Sequence, residues 1–90
     1  MGIYLVDSSP LEFPLIFPLK VIGRNADDFE GFVLSVVKTH APLSARTVTT
    51  RPSHGGKYLA VTVTFTAESR EQLDAIYQEL SGHERVLMTL

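Results

Sequence analysis

The residues best suited to chemistry in this chain are the run His54-Gly55-Gly56-Lys57, the loop Gly23-Arg24-Asn25, three histidines, and carboxylates spread over two segments. His54 to Lys57 offers what a phosphate site uses: glycine backbone, a cation and an imidazole. However, the residues that follow, KYLAVTVTFT, alternate as a strand does, whereas a phosphate-cradling loop opens a helix. The run therefore reads as a hairpin turn, with Gly55 and Gly56 supplying the positive φ angles. His40, His54 and His83 are far apart, with neither H-E-x-x-H nor H-x₃₋₅-H spacing, so no metal is expected. With no cysteine there is no thiolate nucleophile, thiolate metal cluster or disulfide. The serines lie in caps, turns and strand starts, and no G-x-S-x-G elbow occurs. Asp27, Asp28, Glu30, Glu68, Glu71, Asp74 and Glu79 fall at the starts or on the polar sides of helices, the places solvated carboxylates occupy. An enzyme is not expected, nor is a cofactor.

Gly23-Arg24-Asn25 could hold a carboxylate, through backbone N–H groups at a helix start and one arginine. Asp27 and Asp28 already place negative charge there, which favours a capped helix without a ligand.

These residues must be held by elements that the spacing defines. Ninety residues make one domain, and 44% apolar with 20% charged residues describes a folded globular chain. Residues 1–12 read as a loosely held lead-in broken at Asp7-Ser8-Ser9-Pro10, and 13–90 as the domain. No basic n-region or membrane-length apolar run is present, so a cytoplasmic protein is expected. Phe13 to Gly23 predicts a strand with Phe17, Leu19 and Val21 on one face. Its pairing is expected to start near Leu19, or to bulge at Pro18, which lacks an N–H.

Asn25 predicts a helix cap, and Phe29, Phe32, Val33, Val36, Val37 and His40 form one helical stripe ended by Pro42. Gly31 within it suggests close approach of another backbone. Ser44 to Pro52 is threonine- and arginine-rich and predicts an edge strand. In the next strand Leu59, Val61, Val63 and Phe65 point one way and Tyr58, Ala60, Thr62, Thr64 and Thr66 the other. Ser69-Arg70-Glu71-Gln72 predicts a capping box, Leu73, Ile76, Tyr77 and Leu80 a second stripe, and Gly82 its C′ position. ERVLMTL closes the chain as a short strand.

The order β-α-β-β-α-β predicts a ferredoxin-like α+β sandwich: a four-stranded antiparallel sheet, first and third strands central, with both helices on one face. The other face is then open. An RNA-reading sheet needs aromatics there, and Tyr58 beside Ala60, Thr62 and Thr64 is a poor stacking platform. The net charge of −2 also argues against nucleic acid, and the cluster Arg46, Arg51 and Lys57 reads as a solvated rim. Lys57, Tyr58, Ala60, Thr62 and Leu87 form a surface of small, polar and apolar residues. It is either plain solvent-exposed sheet or a surface for a protein partner or a second copy of the chain.

LEFPLIFPLKVIG, VVKTHAP, RPSHGGKYLAVTVTF, LDAIYQEL and VLMTL together resemble the YbeD family of small bacterial proteins, in matching order from Leu11 to Leu90. Glu12-Phe13-Pro14, His40-Ala41-Pro42, and Pro52-Ser53 with Gly56-Lys57-Tyr58 are the most specific points. The resemblance implies a ferredoxin-like domain similar to the ACT-type regulatory domains. It also implies a regulatory role with a suggested link to lipoate metabolism, and carries no catalytic residues. The ACT-like comparison implies a small-molecule ligand, an amino acid or acyl acid, near Gly23, Arg24 and Asn25. The match on Gly56, Lys57 and Tyr58 leaves a functional role for the turn open beside the structural one.

Overall fold

The computed structural model describes residues 12–42 and 47–90. Its elements follow in the order β1 (Leu15–Arg24), α1 (Phe29–His40), β2 (Thr47–Pro52), β3 (Tyr58–Ala67), α2 (Arg70–Ser81) and β4 (Val86–Thr89). The lead-in expected over residues 1–12 falls, apart from Glu12, outside the described residues, as does the expected start of the edge strand at Ser44.

Among the described residues the strands form one antiparallel sheet in the order β2-β3-β1-β4, the ferredoxin-like arrangement. Two-residue alternation sends Leu19, Val21, Val61, Val63 and Phe65 to the helix side, where they are fully or almost fully buried. Phe29, Val33, Val36 and Val37 of α1 and Leu73, Ile76, Tyr77 and Leu80 of α2 meet them to complete the core.

Several local expectations give way to tertiary context. β1 pairs regularly with β3 from Leu15 to Arg24, without a bulge at Pro18. Lys20 exchanges backbone hydrogen bonds with Leu90, so the even-numbered residues of β1 aim their N–H groups toward β4. Pro18 lies one step beyond that last pair, where its missing N–H costs no ladder bond.

Helix α1 starts at Phe29 with Asp28 at its N-cap position and no side-chain cap, not at Asn25. Gly31 has no neighbour within 4 Å of where a Cβ would stand; the crowded glycine is Gly23. Ser69 caps α2 by accepting from the Gln72 N–H at 3.1 Å. Gln72 completes only half of the expected box: its side chain accepts from the Glu68 N–H and donates to the His40 carbonyl, which ties the two helices' ends together. Gly82 is the C-cap in the right-handed region at φ −87°, not a left-handed C′ residue.

The hairpin between β2 and β3 is as expected. Gly55 and Gly56 have φ of +88° and +76°, the region that only glycine enters without strain. The Gly56 N–H donates to the Ser53 carbonyl, and the Ser53 hydroxyl accepts from the Tyr58 N–H.

Candidate functional site

With both helices on one side, no described element covers the opposite face of the sheet, and strand register fixes what it displays. Two rows run across it from β4 to β2. One is Met88, Ile22, Ala60, Arg51; the other is Leu90, Lys20, Thr62, Thr49. Arg24 stands opposite Tyr58 at one end, and Ile16 opposite Thr66 at the other. A register shift between Ile22 and Gly23 leaves Leu87 on the outward side of β4. Among the described residues the large apolar side chains that remain exposed, Ile16, Leu87, Met88 and Leu90, are all on or beside this face. Ile16 is the most exposed of the four, at 73%.

The expected interaction residues assemble only in part. Tyr58, Ala60 and Thr62 stand in one row along β3, and Lys57 sits at its end with Nζ 5.5 Å from the Tyr58 ring centre. Leu87 lies two strands away, across β1. Between β1 and β2 lies a shallow depression of about 240 Å³ lined by Lys20, Thr49, Arg51, Ala60 and Thr62. Ile16, Met88 and Leu90 were not singled out from sequence as surface residues, and Arg51 was read only as part of a solvated rim. Their strand parity, together with the β4 register, is the signal that assigns them.

The expected ligand loop Gly23-Arg24-Asn25 is split among three tasks. Gly23 packs so closely under Phe29 and the Arg85 carbonyl that it offers no ligand space. Asn25 is spent on the hairpin: its N–H donates to the Lys57 carbonyl and its Nδ2 to the Gly56 carbonyl, both at 3.0 Å. Arg24 and Asn25 are both exposed, but only the Arg24 side chain is without a hydrogen bond or ion pair among the described residues. It borders a hollow of about 370 Å³ with Ala26, Glu84, Arg85 and Leu87.

The start of α1 is already occupied by charge. Arg85 donates to both Asp28 carboxylate oxygens, at 2.7 and 3.3 Å, and its guanidinium lies over the Phe29 and Phe32 rings. This pairing holds the Asp28 carboxyl below its ordinary range. The histidines are dispersed. His40 Nε2 meets Glu79 Oε1 at 2.8 Å, His83 Nδ1 accepts from the Arg85 N–H beside the Phe32 ring, and His54 stands exposed in the hairpin. Among the described residues no cluster of histidines and carboxylates could hold a metal ion. No helix among them is long and apolar enough to cross a membrane.

Residues 8–90 match the family model described as "Protein of unknown function (DUF493)". A UPF0250 protein of Chromobacterium violaceum is 50% identical over 80 residues, covering 88% of this chain and 90% of that protein. A UPF0250 protein of Neisseria gonorrhoeae is 48% identical over 84 residues, covering 92% of each chain. The counterpart in Nitrosomonas europaea is 42% identical over 87 residues, covering 96% of this chain and all of that one. Among solved structures, the solution structure of HP0495 from Helicobacter pylori superposes with a TM-score of 0.67 at 19% identity, over 100% of this chain and 98% of that one. That likeness speaks for the fold alone. The YbeD-family resemblance carried by the sequence motifs is borne out by these relatives.

Proposed function

The chain belongs to the DUF493 family, and from that premise we propose that it is a non-catalytic interaction module of bacterial cells, binding a protein through its open sheet face. The observation that carries this reading is the grouping of Ile16, Leu87, Met88 and Leu90, exposed together on the side that the helices leave bare. A regulatory role follows if engagement of that face alters the partner's activity. A photo-reactive amino acid placed at Thr62 or Met88 tests the reading in the cells that make the protein, with Lys38 of α1 and Asp74 of α2 as controls. Discrete adducts are expected from the sheet positions only. Adducts from the helix positions alone, or from none, overturn the reading.

A second reading rests on Arg24, unpaired among the described residues at the rim of the hollow that it shares with Arg85 and Leu87. A small acid, its carboxylate on Arg24 and its apolar part on Leu87, suits that arrangement. A thermal-shift screen of amino acids and acyl acids, repeated with Arg24→Ala, decides it. The absence of any arginine-dependent shift removes this reading.

A further inference from the structure

The strands carry cations and no anions. Among the described residues Lys20, Arg24 and Arg51 are the charged side chains of all four strands, and every Asp and Glu lies in a helix, in a connection or, for Glu12, ahead of β1. Register places all three cations outward, opposite Thr62, Tyr58 and Ala60 of β3. Lys57 adds a fourth positive charge at the hairpin end. The open face is therefore apolar along β4, mixed along β1, where Lys20 and Arg24 share the face with Ile16 and Ile22, and cationic at Arg51 on β2. In the row Met88-Ile22-Ala60-Arg51, a single line of side chains passes from apolar to charged.

We propose that the open face binds an acidic amphipathic helix of another protein, apolar along one stripe and carboxylate-rich beside it. This rests on the reading of the open face as the interaction surface and specifies its partner. Four strands at about 4.8 Å spacing give a bed wider than a helix of about 10 Å diameter. A helix lying along β1 and β4 covers Ile16, Ile22, Met88 and Leu90, meets Lys20 among them and turns its flank toward Arg51. Charge complementarity of this kind sets partner choice and speeds encounter.

A second copy fits less well. Two-fold pairing of open faces sets two copies of the same cationic row together, with no carboxylate of the described strands between them. Single-stranded RNA would meet the charge, but its bases need stacking platforms. The exposed apolar residues here are aliphatic, with Tyr58 the sole ring on the described open face.

The test uses the full ¹⁵N-labelled chain and two synthetic helical peptides of about 18 residues, sharing one leucine stripe and flanked by glutamate in one and lysine in the other. The glutamate peptide is expected to bind at least about tenfold tighter, shifting the amides of Lys20, Ile22, Thr62 and Met88, and to weaken as salt rises from about 50 to about 300 mM. The doubly charge-reversed variant, Lys20→Glu with Arg51→Glu, is expected to invert the preference. Both side chains are exposed, so the variant keeps the core intact. Equal binding of the peptides, tighter binding of the lysine peptide, or tighter binding of a short oligouridine overturns the acidic-partner proposal. So does light scattering that reports a dimer with the sheet amides protected, although the open face then stands as an interface. Shifts confined to α1 and α2 overturn the open-face reading itself.

Discussion

Gly23 and Gly31 receive the same substitution, glycine to alanine, with opposite expected outcomes. At Gly23 an added Cβ would stand 2.5 and 2.6 Å from Cζ and Cε1 of Phe29, and closer still to the Arg85 carbonyl oxygen. Gly23 has no left-handed φ, so space and not backbone conformation demands glycine here. Neither neighbour yields easily. The Phe29 ring is fully buried, and the Arg85 carbonyl belongs to the backbone that leads into β4 beside the register shift. Overpacking of this kind costs about 1–3 kcal/mol, and a backbone obstacle places Gly23→Ala at the upper end. In a domain of this size each kcal/mol moves the melting midpoint by about 4–8 °C, so a fall of about 12–24 °C is expected.

At Gly31 nothing lies within 4 Å of the new methyl group, and the residue sits in the first turn of α1. Alanine there lowers the entropy lost on folding and is expected to stabilise by about 0.5–1 kcal/mol, or a few degrees. Thermal denaturation followed by far-UV circular dichroism reads both. A Gly23→Ala midpoint within about 3 °C of the wild type refutes the close packing under Phe29. A destabilised Gly31→Ala refutes the open helical site.

Two further expectations concern stability. Thr89 is 1% exposed and its hydroxyl finds no partner among the described residues, so Thr89→Val should stabilise by about 1 kcal/mol in denaturant titration by removing a buried unsatisfied group. Burial raises the Tyr77 pKa above the ordinary 10.0; its contribution is therefore complete below about pH 10 and lost as pH rises through the folded value, a loss that Tyr77→Phe should lessen. The Asp28 pKa, lowered from 3.8 by the Arg85 hydrogen bond, predicts the mirror case. That contribution is present above this value and lost on acidification through the folded pKa, so Asp28→Asn should flatten the acid limb of the stability curve.

Periodicity was enough to read the two helical stripes, the alternation of β3 and the central places of β1 and β3, because burial imposes those patterns locally. What stayed hidden depended on residues distant in sequence. Asn25 carries an N-cap's chemistry, but its donors are drawn to the Gly56 and Lys57 carbonyls about thirty positions later. Which glycine packs tightly was decided by Arg85, more than sixty positions beyond Gly23, so Gly31 attracted a role that belonged elsewhere. Pro18 looked like an obstacle to pairing until the Lys20–Leu90 bonds fixed which side its nitrogen faces.

The net charge of −2 argued against nucleic acid, but a net charge does not describe how charge is distributed over the surface. Charge summed over a chain describes its far field; a docking surface is governed by charges within a Debye length, about 8 Å at physiological ionic strength. The domain is 20 Å across in its shortest dimension, with the carboxylates, Glu84 beside Arg24 excepted, carried mainly by the helical layer and the connections, and Lys20, Arg24 and Arg51 on the outward side of the sheet. A partner on the open face thus meets those cations at close range, while much of the acidic charge that outweighs them is separated by the core. The sequence holds this partition in plain sight, since LIFPLKVIGR, TVTTRP, YLAVTVTFTA and VLMT contain no Asp or Glu. Counting charge by strand parity before summing over the chain converts an acidic protein into one with a basic face.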